Sequence, residues 1–207
     1  AAGMTVTSFA GYAMSAFAAT YLMRAFHLNV EQAGLIAGLV NGLSAAAGTL
    51  LGGLLTDWAG RGDRRWYVWI PALGLVLSAP LYVAAYLQAD LRVVLILLIV
   101  PGVLHYFYLG PTYAVMHNMV APRMRATATA LLLLVLNLIG LGFGPTFLGL
   151  ASDIFAHSAF AGDFAVACPG GMPATGATEG AALACRAASA TGLQWAMVGC
   201  STIYVWA

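Results

Sequence analysis

Apolar residues run along this chain in long, nearly unbroken stretches. They show neither the strict alternation of a strand nor the single stripe of a surface helix. A bilayer-spanning helix needs ~20 mostly apolar residues. The stretches 4–25, 32–56, 66–88, 93–119 and 126–154 meet that length. A sixth starts near Gly192 and reaches residue 207, with roughly 16 residues, short of a full crossing. Barrel strands would be segments of ~10 residues with alternating hydrophobicity, and these runs are longer and continuous. The expected fold class is therefore all-α, a polytopic transmembrane helix bundle. Residues 156–190, rich in Gly, Ala, Pro and Thr, read as one long connector.

Composition supports a lipid setting. Of 207 residues, 62% are hydrophobic and 7% charged, and mean hydropathy is +0.89. A soluble domain carries roughly 25% charged residues, so water alone cannot be the solvent here. There is no lysine, and net charge is only +1. No basic stripe suggests nucleic acid. Cys168, Cys185 and Cys200 are too few and too scattered for a zinc ribbon. No metal or other cofactor is expected. The first stretch lacks the positive n-region of a signal peptide. The chain opens on Ala1 and stops at Ala207, both within or beside apolar runs. A fragment is expected.

The arginines orient the spans. Arg61, Arg64 and Arg65 lie between spans two and three, and Arg123 and Arg125 between spans four and five. Arg24, Arg92 and Arg186 lie on the other side. The positive-inside rule puts the five-Arg side in the cytoplasm of a multi-pass protein of the cell (inner) membrane. Trp66, Tyr67 and Trp69 stand at the depth of an aromatic belt. The 156–190 connector then faces an oxidising compartment. A Cys168–Cys185 disulfide is expected there, with two unpaired thiols as the alternative.

Small residues mark helix contacts. Span two carries Gly34, Gly38, Gly42, Gly48, Gly52 and Thr56. Span five carries Gly140, Gly142, Gly144, Pro145 and Gly149. Helices in lipid associate by close backbone packing, which small faces allow, so span two should touch a neighbour along most of its length. Pro145 removes a backbone donor and favours a kink. Asp57 ends span two, where the helix dipole disfavours a carboxylate. It needs a partner, either an arginine or the N-terminus of another helix.

Gly53-xxx-Asp57-xx-Gly60-Arg61 resembles the cytoplasmic loop signature of the major facilitator superfamily, departing from it at Trp58 and Gly62. Such a degraded copy resembles the one between that family's eighth and ninth helices. Pro122-Arg123-Met-Arg125-Ala126, followed by Asn137-Leu-Ile-Gly140-Leu-Gly142-Phe-Gly144-Pro145 and Gly149-Leu-Ala-Ser152-Asp153, resembles the eleventh helix of the spinster-like branch. Gly11-Tyr12 and Gly110-Pro111 also fit. The resemblance implies a twelve-helix fold of two halves, each two inverted three-helix repeats. This chain would supply helices seven to twelve. Its partners would be membrane lipid and the missing N-terminal six-helix half of the same polypeptide. The implied activity is alternating-access transport of a small organic or amphipathic solute bound near the midplane. Spans one, two, four and five would line the cavity, and Gly53, Asp57, Gly60 and Arg61 would form a conformational switch.

Polar groups inside a membrane are costly and often functional. Tyr12, Asn41, His105, Tyr108, Thr112 and Asn137 are the candidate contacts for a substrate or a coupled proton. For Asn41 and Asn137, a hydrogen bond that glues two helices is an equal alternative. His105 is expected to face the cavity, with Tyr108 one turn and Thr112 two turns along the same face. Histidine is also the side chain that titrates nearest neutrality. A rival reading is a membrane enzyme, for which His117 and Asn118 are the best available groups, with no carboxylate or Cys beside them. Another is a non-catalytic membrane subunit. A transporter, not an enzyme, is the expectation.

Overall fold

The computed structural model describes residues 2–160, 162–174 and 178–207. Among these the regular structure is all helical. In chain order it comprises α1 (Ala2–Phe26), α2 (Val30–Gly60), α3 (Trp66–Tyr86), α4 (Leu91–His105), α5 (Leu109–Met119), α6 (Arg125–Ala159), α7 (Phe164–Ala167) and α8 (Glu179–Thr202). One-turn 3-10 segments lie at Tyr106–Tyr108, Pro122–Met124, Pro169–Gly171 and Ile203–Val205.

By length and composition, Val30–Gly60, Trp66–Tyr86, Leu91–Met119 and Pro122–Ala159 are long and apolar enough to cross a membrane. Their outer faces carry exposed Leu39, Leu50, Val68, Leu77, Leu134 and Leu141, the surface that lipid accepts. α1 and α8 are of similar length but richer in small and polar residues. They turn those residues inward. Ala10, Ala13 and Met14 of α1 meet Leu148 of α6 and Leu193, Met197 and Cys200 of α8 in the main core. There is no hydrophobic force between helices in lipid, so this contact depends on fit. A methyl at Gly144 would stand 2.7 Å from the Phe9 carbonyl, and one at Gly192 would stand 2.5 Å from the Ser152 carbonyl.

Helix starts follow their caps. Asn29 accepts from the Gln32 N–H at 2.7 Å, and Asp90 from the Arg92 N–H at 2.8 Å, each satisfying an orphan donor of the first turn. Thr178 does the same for Ala181, which starts α8 well before Gly192. The sixth helix is thus longer than hydropathy indicates, and the 156–190 connector shrinks to 160–178. Residues 181–191 are mostly alanine and polar. They lack the hydropathy of a span but have high helix propensity.

The fourth crossing is interrupted. Pro111 has no N–H to offer the Phe107 carbonyl, and the chain tightens into a 3-10 turn at Tyr106–Tyr108 before α5 resumes. Such a break in the helical register often marks a functional segment. α6, by contrast, stays helical through Pro145.

Candidate functional site

The break in the fourth crossing places tyrosines on two sides. Tyr12 of α1 donates its hydroxyl to Asn137 Oδ1 of α6 at 3.1 Å, and Asn137 Nδ2 donates to the Leu133 carbonyl at 2.8 Å. Tyr106 and Tyr113 come from the interrupted fourth crossing, in the 3-10 turn and α5. All four residues are half-buried. Gly140 makes the pair possible, because a methyl there would meet the Tyr12 ring at 2.5 Å. Half-buried polar and aromatic side chains thus come from α1, α5, α6 and the 3-10 turn.

His105 lies behind these side chains. It is only 4% exposed. Its ring packs 4.9 Å from Tyr106, 5.6 Å from Tyr108 and 4.7 Å from Tyr204, between centroids. Its Nδ1 has no hydrogen-bond partner among the described residues. The expected stripe from His105 through Tyr108 to Thr112 is split. The 3-10 turn changes the winding, and the Thr112 hydroxyl donates back to the Tyr108 carbonyl at 2.6 Å. Tyr108 and Thr112 instead line a cavity of about 600 Å³ walled by Met4, Leu75, Met116 and Met119. His105 and Asn41 line a separate crevice of about 50 Å³ between α1, α2 and α4.

At the α2–α3 connection, Tyr67 donates its hydroxyl to Asp57 Oδ1 at 2.9 Å. Asp57 thus has a partner, but a phenol rather than the arginine or helix N-terminus that dipole reasoning suggests. Among the described residues the connector's ion pair is Arg65 to Asp63, at 4.0 Å and well exposed; Arg61 is exposed. Gly60 shapes this contact, because a methyl there would lie 2.5 Å from the Tyr67 ring. Gly53 has open space around it.

The glycines of α2 divide. Gly48 packs against Val103 and Tyr106, and Gly52 against Phe107. Gly34, Gly38 and Gly42 meet nothing within 4 Å. The buried line of α2 therefore runs through Ala33, Ser44, Gly48, Gly52 and Thr56, and Gly34, Gly38 and Gly42 lie off it. On the opposite end of the molecule, Cys168 and Cys185 are joined, with Cα atoms 5.8 Å apart. Their sulfurs sit in a small core with Ala156, Phe164 and Ala188. His117 contacts Thr129 Oγ1 at 3.0 Å, tying α5 to α6. No group of three or more His, Cys, Asp or Glu is disposed to hold a metal among the described residues.

Sequence reasoning missed Tyr106, Tyr113 and Tyr67. Tyr106 and Tyr113 are seven residues apart, but the 3-10 turn at Tyr106–Tyr108 interrupts the helical spacing between them, so the sequence carries no one-face signal for the pair. From the sequence Tyr67 reads as an interfacial belt residue.

No known family profile matches the chain. An MFS-type efflux pump of Mycolicibacterium smegmatis is 31% identical over 152 residues, which are 73% of this chain and 35% of the pump. Two solved structures superpose on 99% of the chain. Both are of a bacterial homologue of the human lysosomal transporter Spinster, inward-facing. The unoccupied form gives a TM-score of 0.77 at 32% identity, and the occupied form 0.75 at 31%. The chain spans about a third of the pump's length and under half of each solved chain. This integral membrane protein belongs to the major facilitator superfamily and is spinster-like.

Proposed function

We propose that this chain is the C-terminal six-helix half of a secondary transporter that moves a small organic or amphipathic solute by alternating access. The observation that carries this reading is the half-buried face of Tyr12, Tyr106, Tyr113 and Asn137. Elsewhere the long helices present leucine and valine outward. A face with hydroxyl and amide groups is poorly suited to lipid hydrocarbon. It suits a cavity shared with a second half, where aromatic walls hold an apolar body and hydroxyls orient a polar end. The Arg61, Arg64, Arg65, Arg123 and Arg125 connectors lie in the cytoplasm on this reading, with the disulfide-bearing segment outside. His105 stands behind the face and serves it from the second row, as a hydrogen-bonding group and the candidate for a coupled proton. The family likeness favours transport over a membrane enzyme or an accessory subunit.

The test is reconstitution of the full-length protein into proteoliposomes with labelled amphipaths. Saturable uptake that falls at least tenfold in the Tyr12→Ala, Asn137→Ala double variant supports the reading. Saturable flux by residues 1–207 alone overturns it, because one wall does not make a cavity.

A further inference from the structure

The crevice behind Tyr106 has the composition of a binding site. It holds about 50 Å³ and is lined by Asn41, Ser44, Tyr82, Tyr106, Tyr204 and His105, with no charged side chain among its lining residues. His105 Nδ1 is buried there without a partner. Leaving a buried polar atom unsatisfied is costly. Ser44 is 1% exposed, and its hydroxyl reaches only the Ile99 carbonyl, at 3.5 Å, the far limit of a hydrogen bond.

Two glycines let polar side chains of the lining pack directly onto backbone. A methyl at Gly102 would stand 2.6 Å from Ser44 Oγ and 3.7 Å from Tyr82 Oη. One at Gly11 would stand 3.1 Å from His105 Nε2 and 3.8 Å from Tyr204 Oη. Hydroxyls and ring nitrogens from α1's neighbours thus converge over two bare backbone positions. The mouth carries exposed Ser15 and half-buried Asn41.

We propose that this crevice is a subsite for the uncharged, hydroxyl-bearing end of an amphipathic cargo. The inference rests on the transport reading and names the chemistry of the group bound. Size limits the guest. An engineered cavity of about 150 Å³ holds a benzene ring, so a crevice of about 50 Å³ takes only a group smaller than that. Charge limits it too. With no counter-charge in the lining, a carboxylate or ammonium would be desolvated without compensation. Nδ1 and the Ser44 hydroxyl are sealed from the crevice here, so a guest reaches them through a small side-chain shift; a hydroxyl, which both donates and accepts, then satisfies Nδ1 in either tautomer of His105 and can also bond Ser44. The apolar body of the cargo then lies along the Tyr106 side.

The experiment uses the full-length protein in nanodiscs and two tritiated probes, monolauroylglycerol and its dimethyl ether. The wild type should bind the free diol at least tenfold more tightly than the ether. His105→Phe should abolish that preference. Asn41→Leu, at the half-buried mouth, should reduce it severalfold without touching the core, which keeps the test open if the His105 variant misfolds. Equal affinities in the wild type, no binding of the diol, or a preference that survives in both variants overturns the proposal. Uptake of the same probes separates the two readings. Saturable uptake of both without discrimination leaves transport standing and removes the subsite. Selective binding of the diol with no uptake of either probe leaves the subsite and removes transport.

Discussion

Tyr67, in the first turn of α3, donates its hydroxyl to Asp57 near the end of α2, 2.9 Å away, over the bare backbone of Gly60. Three residues of one short segment thus act together. Asp57 supplies the acceptor, Gly60 the room, and Tyr67 a donor with no charge of its own. The contact closes the α2–α3 corner within a single chain. A carboxylate at a helix C-terminus is otherwise disfavoured by ~0.3–1 kcal/mol, so Asp57 gains from any donor brought to it.

On the transport reading that contact exists in one access state and loosens in the other. Tyr67→Phe removes the donor and leaves the ring packing. It should slow turnover of the full-length protein severalfold while substrate affinity stays within about threefold, since the lost hydrogen bond is solvent-exposed and far from the proposed cargo face. Asp57→Asn should do the same. Gly60→Leu should be worse than either, because its side chain must displace the ring. Counterflow rates and equilibrium binding on the same samples decide it. Affinity that collapses with unchanged turnover of bound substrate removes the switch role.

The Tyr12–Asn137 bond joins α1 to α6 at 3.1 Å. Side-chain bonds between membrane helices average ~0.6 kcal/mol in double-mutant cycles, with a maximum near 1.7. A cycle of Tyr12→Phe and Asn137→Ala, read by unfolding in mixed micelles, should give a coupling of that order. Coupling indistinguishable from zero would mean that the pair is held apart for a substrate and not for stability.

The disulfide closes a loop with a sequence separation of 17. Chain-entropy reasoning assigns such a loop ~3 kcal/mol. Reduction, or Cys168→Ser with Cys185→Ser, should lower the unfolding midpoint of the disulfide-bearing segment while leaving the bundle helical. Circular dichroism with and without reductant measures both. An unchanged midpoint shows that the Phe164 cluster holds the segment without the bridge.

Much of this architecture is legible in the residues. Trp66–Tyr86 is almost wholly apolar, so hydropathy finds its start at once. α8 is different. Ala181, Ala188 and Ala196 are good helix formers with little hydropathy, and only the Thr178 cap reveals where the helix begins. The site was legible in part. Tyr12 and Asn137 stand out as polar groups in apolar runs, and they meet. His105 stands out equally but turns inward, because the 3-10 turn that follows it depends on Pro111 and on packing against Gly48 and Gly52. Those long-range contacts leave no local trace. Tyr106 and Tyr113 were hidden by their chemistry, since a tyrosine in a membrane protein reads first as belt or core.

The two ends of the α2 glycine row make opposite predictions. Gly52 lies against the Phe107 backbone, where a methyl would approach Cα to 2.6 Å, and that atom cannot swing aside as a side chain would. Gly52→Leu must therefore push α2 from the 3-10 turn. Overpacking of a closed contact costs ~1–3 kcal/mol, and the displaced turn carries Tyr106 and borders His105. The variant should lower the stability of this half and disturb binding together. Gly38→Leu has open space in this chain, so the same substitution should leave the stability of residues 1–207 within about 0.5 kcal/mol. In the full-length protein its effect depends on what faces Gly38. If the second half packs there, Gly38→Leu should impair access exchange while residues 1–207 unfold as before. If lipid faces it, the variant should be silent in both. The pair is best read by unfolding of the isolated chain beside turnover of the whole protein. Equal destabilisation of the isolated chain by both variants would contradict the packing described here.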